Sequence, residues 1–301
     1  MKYLNSEYLK DIQEGMYNRA LDPDVALFNY EFDKESDPTF LETSLYLYVN
    51  EDGGFGHALD FDNVNPNSTV FQTYEALKMF MNVNVLDINH DEISNELITG
   101  AMKYLSKRSR YSLKEKINDK FACALRFKGE DDNELLFGIL GLMILFNPKD
   151  SKYYKKAIDQ AGSNLNLFLN QTSFDYLTLE QYKLFLQAIL LKNEFSDKFN
   201  DLENKYNELL AKFLKTCDTS KDYFEILKLL EDSELSTHEQ ELFDSALDNL
   251  IDARAKHGMW ENTHKWGNEN IYPEAMSSEI KWIGRATRVA IHFIHKYNRI
   301  K

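Results

Sequence analysis

The stretch NEDGGFGHALDFDNVNPNST, Asn50 to Thr69, holds three of the chain's twelve glycines, four acidic side chains and a histidine. On both sides of it apolar residues recur at helical spacing. Upstream, Asp37 as N-cap and Pro38 in the first turn open a helix whose buried stripe is Leu41, Leu45 and Tyr48. Downstream, Asn67 or Ser68 caps a helix that carries Val70, Tyr74, Leu77 and Phe80. Glycine can take the positive φ that ends a helix, and an aromatic behind it can tuck back as a plug. Gly54 is expected to hold that positive φ, with Phe55 as the plug. A weaker echo, KHGMWEN (256–262), again sets an aromatic shortly after Gly258. A glycine stop between two helices, met twice, makes the helical hairpin the building unit.

The rest of the chain agrees. Only 12 glycines and 5 prolines occur in 301 residues, and helix interiors exclude both. Helical periodicity is read at 3–21 (ending before Asp22-Pro23), 91–107, 133–146, 151–170, 178–192, 197–216, 221–230, 237–256 and 277–297. Long helices with short links pack as antiparallel neighbours. No Pro/Ser-rich linker divides them, so one all-α domain over 1–301 is expected. Charge runs such as Asp201-Leu-Glu-Asn-Lys205 read as solvated helix faces.

Composition narrows function. The formal net charge of −14 repels phosphate backbones and anionic lipid, which argues against nucleic acid or a membrane surface as the main partner. Cys123 and Cys217 form no CxxC pair and no Cys/His cluster, so neither a disulfide framework nor structural zinc is expected, and a reducing cytoplasm is the natural setting. The opening MKYLNSEYLKDIQEG lacks the apolar core of a signal peptide. No run of about 18 apolar residues would cross a membrane. No cofactor is implied.

Two constellations carry candidate chemistry. The first is Asp52, His57, Asp60 and Asp62. Paired carboxylates can separate their pKa values and serve as acid and base, so Asp60 and Asp62 are candidate catalytic groups, with Asp52 and His57 as ligand contacts. The bland reading is that Asp52 fixes the Gly-Gly turn, His57 is a bonded structural histidine, and Asn65 and Asn67 form turns. An i, i+2 pair diverges in extended chain, so a joint role for Asp60 and Asp62 needs an irregular loop. The second constellation is Trp260, Trp266, Tyr272, Glu274 and Trp282, which includes every tryptophan of the chain. It can wall an apolar ligand, stack on a sugar or simply plug the core. Glu274 is either a catalytic carboxylate or the ion-pair partner of Arg285 or Arg288. Gly284 lets a neighbouring helix approach closely. Ser68 lacks any nucleophile motif and reads as a cap. Asp131-Asp132-Asn133-Glu134 reads as helix capping, and His292 with His295 as packing or surface residues rather than metal ligands.

The segment YVNEDGGFG (48–56) resembles the DGGFG/DGGW signature of terpenoid cyclases and protein prenyltransferase β-subunits. NEDGGFGHALDFDNVNPNSTVFQTYEAL (50–77) and WENTHKWGNENIYPEAMSSEIKWIGRATRVAIHFIHKYNRI (260–300) more closely resemble the two ends of a bacterial prenyltransferase-like family. The likeness covers both ends well and the middle poorly. It implies an α/α toroid, a ring of helical hairpins around a central cavity, and it implies no particular reaction. Asp60-Phe61-Asp62-Asn63 has Asn where the cyclase DxDD motif ends in Asp, and neither cysteine lies in a prenyltransferase zinc motif. Three functions follow as expectations: a toroid that binds a small apolar, isoprenoid-like molecule, with or without catalysis; a carbohydrate-processing enzyme built on paired carboxylates; and a non-catalytic scaffold for a ligand or partner.

Overall fold

The computed structural model describes residues 1–32, 37–83, 92–261 and 265–301. Among them are twelve α-helices and no strand; the other regular features are short 3-10 turns and isolated β-bridges. The helices are α1 (Leu9–Arg19), α2 (Asp22–Phe32), α3 (Thr39–Leu45), α4 (Val70–Met81), α5 (Glu92–Ser106), α6 (Leu136–Phe146), α7 (Lys152–Leu169), α8 (Tyr176–Leu191), α9 (Phe199–Thr216), α10 (Tyr223–Leu230), α11 (Thr237–Asp252) and α12 (Glu274–Lys296). The all-α expectation therefore holds. No described helix is long and apolar enough to cross a membrane.

Several boundaries differ for physical reasons. Asp22-Pro23 does end one helix, but it also opens α2, which the periodicity did not separate. Proline is tolerated in a first turn, and Asp22 and Asp24 favour the positive end of the helix dipole. The expected start at Asp91 lies outside the described residues. Asn67 and Ser68 do not cap α4; Thr69 does, accepting from the Gln72 N–H at 3.1 Å. The 131–134 run does not cap α6 either. Asp131 accepts from Lys116 N–H, Asp132 from the Ser112 hydroxyl and Glu134 N–H, and Asn133 from Tyr111 N–H, so the run pins the preceding loop.

Where one domain is expected, the residues cluster into two compact units: 1–44 with 216–301, and 45–215. The unit 45–215 is built on α6, whose sequence LFGILGLMILF is apolar all round. A helix without a polar face has to be central. Every residue from Leu136 to Leu145 is buried, and α4, α5, α7 and α8 pack around it.

In the other unit the chain ends meet. Leu4 bridges to Ile300 in parallel, and Arg299, 3 % exposed, donates to Asp244 at 2.6 Å and Asp248 at 3.0 Å. α12 packs on α1, α2, α10 and α11. Gly284 is the contact point expected of it: a Cβ there would stand 2.4 Å from the Ala20 Cα. Asp24, fully buried, accepts from Arg285 Nε at 3.1 Å and Arg288 Nε at 3.0 Å. This corrects the ion-pair reading of Glu274, which is exposed at the first residue of α12 while Asp24 holds both arginines.

His292 clamps three helices of this unit. Its Nδ1 meets Glu31 at 3.0 Å and its Nε2 meets Glu231 at 2.8 Å, while Lys296 also reaches Glu231 at 2.7 Å. Burial alone would lower the His292 pKa, but the bonds to Glu231 and Glu31 outweigh it and raise it to about 9. The folded state then binds the proton more tightly than the unfolded chain. That contribution is whole below the ordinary value of 6.5 and is lost as pH rises through about 9. His292→Gln should therefore lower the melting temperature in mildly acidic buffer, and its deficit against wild type should shrink steadily between pH 6.5 and 9. Melting curves across that window with a constant gap would contradict the clamp.

Candidate functional site

The glycine stretch folds back on itself. Phe55, fully buried, bridges Val49 on one side and Thr69 on the other. Its N–H donates to Thr73 Oγ1 at 3.0 Å, and Thr69 N–H donates to its carbonyl at 3.0 Å. The positive φ falls on Gly53 (+87°) rather than on Gly54 as expected. A Cβ on Gly53 would lie 2.4 Å from the Gly100 carbonyl oxygen of α5. Gly54 is constrained by packing instead: its Cβ would lie 2.6 Å from Ser68 Cβ and 2.7 Å from the Tyr104 ring. In the echo, Gly258 takes φ +88° and Trp260 follows as a fully buried plug.

Asp52 behaves as a turn residue. One oxygen, Oδ1, accepts from Gly54 N–H at 3.0 Å and from the Ser68 hydroxyl at 2.6 Å. Asn50 donates to Ser68 Oγ and to the Pro66 carbonyl, both at 3.1 Å. His57 is exposed and its Nε2 meets Asn50 Oδ1 at 2.9 Å, so it braces the same turn.

The irregular loop that a joint role for Asp60 and Asp62 demands is present. His57 and Ala58 both take left-handed backbone, at φ +57° and +61°. Beyond them Asp62 N–H donates to Asp60 Oδ1 at 3.0 Å. Both carboxylates then face one guanidinium: Arg126 Nη2 lies 3.0 Å from Asp62 Oδ2 and 3.6 Å from Asp60 Oδ2. Asp60 is 1 % exposed and Asp62 2 %, whereas the Arg126 side chain is 37 % exposed. Arg126 is delivered by a short antiparallel contact. Val64 N–H donates to the Ala122 carbonyl at 3.1 Å, and Ala124 N–H to the Asp62 carbonyl at 2.7 Å. Asn63 and Asn65 lock the contact by donating to Asn118 Oδ1 at 3.1 and 3.0 Å. The guanidinium also stands 4.7 Å from the centre of the Phe127 ring and 5.9 Å from that of Phe71. The site thus joins two buried carboxylates, one partly open cation and two aromatic rings.

The second constellation lies in the other unit. Trp260 donates its indole N–H to the Leu250 carbonyl at 2.6 Å and is fully buried. Trp266, 4 % exposed, donates to Ser278 Oγ at 3.2 Å and has the Tyr272 ring centre 6.3 Å away. These two tryptophans pack as core. Trp282 is half-buried with the Arg285 guanidinium 5.5 Å from its ring centre. Glu274 is exposed in this unit, while Asp60 and Asp62 belong to the unit 45–215.

Sequence reasoning missed Arg126, which is 64 residues from Asp62 and sits in no motif. It also missed Glu115 and Arg108. Glu115 Oε2 accepts from Val70 N–H at 2.6 Å, at the first residue of α4. Arg108 lies 4.2 Å from the centre of the Tyr104 ring and donates to its hydroxyl. A polar residue placed for a loop contact leaves no periodic trace. Among the described residues no group of three or more His, Cys, Asp and Glu side chains could hold a metal ion. No family model, no curated protein and no solved structure matches this chain.

The turn can be tested by itself. Gly53→Ala should destabilise the protein by about 2 kcal/mol or more, because it combines left-handed strain with a backbone clash. Gly54→Val should cost a similar amount through overpacking alone, about 1–3 kcal/mol. Urea titrations read both, and a Gly53→Ala midpoint equal to wild type would refute the geometry of the turn.

Proposed function

We propose that this chain is an α/α-toroid protein of the terpenoid cyclase and prenyltransferase-like type that binds a small molecule in a central cavity, in a reducing cytoplasm. The convergence of Asp60 and Asp62 on Arg126 carries the reading. Buried charge is expensive to retain, and a cluster of buried ionisable groups is a common mark of a binding site. The partners suit a ligand with a polar head and an apolar body. Arg126 would take an oxygen of the head, the two carboxylates would accept from its donors, and Phe71 and Phe127 would meet the apolar part. Neither Cys123 nor Cys217 is in a disulfide among the described residues, which a reducing compartment would suit.

The test is a thermal-shift panel of isoprenoid alcohols, isoprenoid diphosphates with and without Mg²⁺, oligosaccharides and uronic acids. The Asp60→Asn/Asp62→Asn double variant and Arg126→Gln run beside wild type. A ligand at 100 times its Kd adds about 2.7 kcal/mol to stability. The expected result is stabilisation by an isoprenoid that both variants lose. A response confined to oligosaccharides would replace the apolar-bodied ligand with a sugar. Silence across the panel with folded variants would leave the glycine stretch as architecture and overturn the proposal.

A further inference from the structure

Glu115 is the N-cap of the 3-10 turn Lys116–Lys120, but its side chain does not cap that turn. Its Oε2 crosses to α4 instead and accepts from the Val70 N–H at 2.6 Å. Val70 is buried and opens α4, so its N–H has no acceptor inside the helix. On the other side, Glu115 Oε1 pairs with Arg108 Nη1 at 3.9 Å, and Arg108 is itself held over the Tyr104 ring of α5. One side chain, 12 % exposed, thus ties the loop after α5 to the start of α4. We propose that this tie is a proton-operated latch, shut while Glu115 is protonated and released from α4 as Glu115 ionises.

The surroundings of the carboxyl set that sign. A charge taken out of water needs close partners to offset the loss of hydration. Asp24 has two, Arg285 Nε at 3.1 Å and Arg288 Nε at 3.0 Å. Glu115 has one guanidinium, more distant and also bonded to the Tyr104 hydroxyl. The other charges near it are of its own sign. Asp131 repels it from the far side of the loop, and Glu51 and Asp52 line the same cleft. Tyr104 faces it as a neutral hydroxyl, pushed well above the ordinary range by burial and by Glu115. Burial therefore prevails over Arg108 and the Val70 N–H, and it raises the Glu115 pKa from the ordinary 4.5 to about 7. Released into water, the carboxyl returns to its ordinary value, so the open form loses its proton first. The ratio of open to shut should rise about tenfold per pH unit between 4.5 and about 7 and level off outside that window, a change of roughly 300-fold in all.

The latched loop also supports the cluster of Asp60, Asp62 and Arg126. The Glu115 carbonyl accepts from Asn118 N–H at 2.8 Å, and Asn118 Oδ1 accepts from Asn63 and Asn65. A latch at Glu115 therefore bears on that cluster without touching it.

Hydrogen exchange of the full chain tests this, followed amide by amide by NMR and corrected for the intrinsic pH dependence of exchange. The expected result is a Val70 protection factor that falls by up to roughly 300-fold between pH 4.5 and about 7 and is flat above. The Phe55 N–H, buried and bonded to Thr73 Oγ1, is the internal reference, and its protection should stay constant. Glu115→Gln cannot ionise and should hold Val70 flat. His57→Gln removes the ionisable group of the neighbouring turn and should leave the fall intact. Should Glu115→Gln fail to fold, the side-chain carboxyl carbon resonance of Glu115 in wild type decides, with a midpoint near 7 expected. A midpoint at the ordinary value of 4.5 would overturn the latch. So would a flat Val70 profile in wild type, a fall that Phe55 shares, or the same fall in Glu115→Gln.

Discussion

Two glycine backbones in contact seat the glycine stretch on α5 in the unit 45–215. Gly53 adopts φ +87°, and a Cβ on it would fall 2.4 Å from the Gly100 carbonyl oxygen. The loop can sit on α5 only because neither partner there has a side chain. Once it is seated, Phe55 is buried between Val49 and Thr69, and its backbone bonds extend to Thr73. Asp52 then draws in the Ser68 hydroxyl, which leaves capping of α4 to Thr69. Glu115 closes the sequence by accepting the first N–H of that helix. The loop, the cap and the carboxylate are successive consequences of one contact.

How far this was legible depends on what left a periodic trace. The helices were readable because their buried stripes repeat: Leu41, Leu45 and Tyr48, and then Val70, Tyr74, Leu77 and Phe80, are all buried. α2 was hidden because Asp22-Pro23 can equally stop one helix or start another. The glycine turn was readable in kind but misplaced by one residue. DGG leaves either glycine free to take positive φ, and only the approach to α5, which is distant in sequence, chooses Gly53. Asp60 and Asp62 could be named as residue types, but not as a convergent pair. Their convergence needs left-handed backbone at His57 and Ala58, neither of them glycine. Arg126 was invisible because a single bridge between Asn63 and Cys123 delivers it, and one bridge has no strand pattern to read. The tryptophans were located correctly and left open between wall and plug; burial with satisfied indole N–H groups sets Trp260 and Trp266 in the core.

An acidic chain has to decide where its few cations go. Here three arginines are largely buried and a fourth, Arg126, is partly open, each facing carboxylates distant in sequence. Arg285 and Arg288 share Asp24, Arg299 spans Asp244 and Asp248, and Arg126 faces Asp60 and Asp62. Buried pairs of this kind add little net stability over apolar packing, but a broken one is costly. Their effect is to fix which segments meet. Asp24 fixes α2 on α12, Arg299 fixes the final residues on α11, and Arg126 fixes the 125–127 turn on the glycine stretch. These contacts are long in sequence and polar in chemistry, so the helical pattern alone would not specify them.

The same economy separates the carboxylates along the glycine stretch. At Asp60 and Asp62 the fold supplies its own cation, and one guanidinium, Arg126, faces both carboxylates. Glu115 has a different one: Arg108, held over the Tyr104 ring, pairs with Glu115 Oε1 at 3.9 Å. One loop, anchored at Gly53, thus turns Asp52 to its own backbone and hydroxyl donors and Asp60 and Asp62 to a guanidinium. The difference comes from where Arg126 is tethered rather than from the carboxylates themselves.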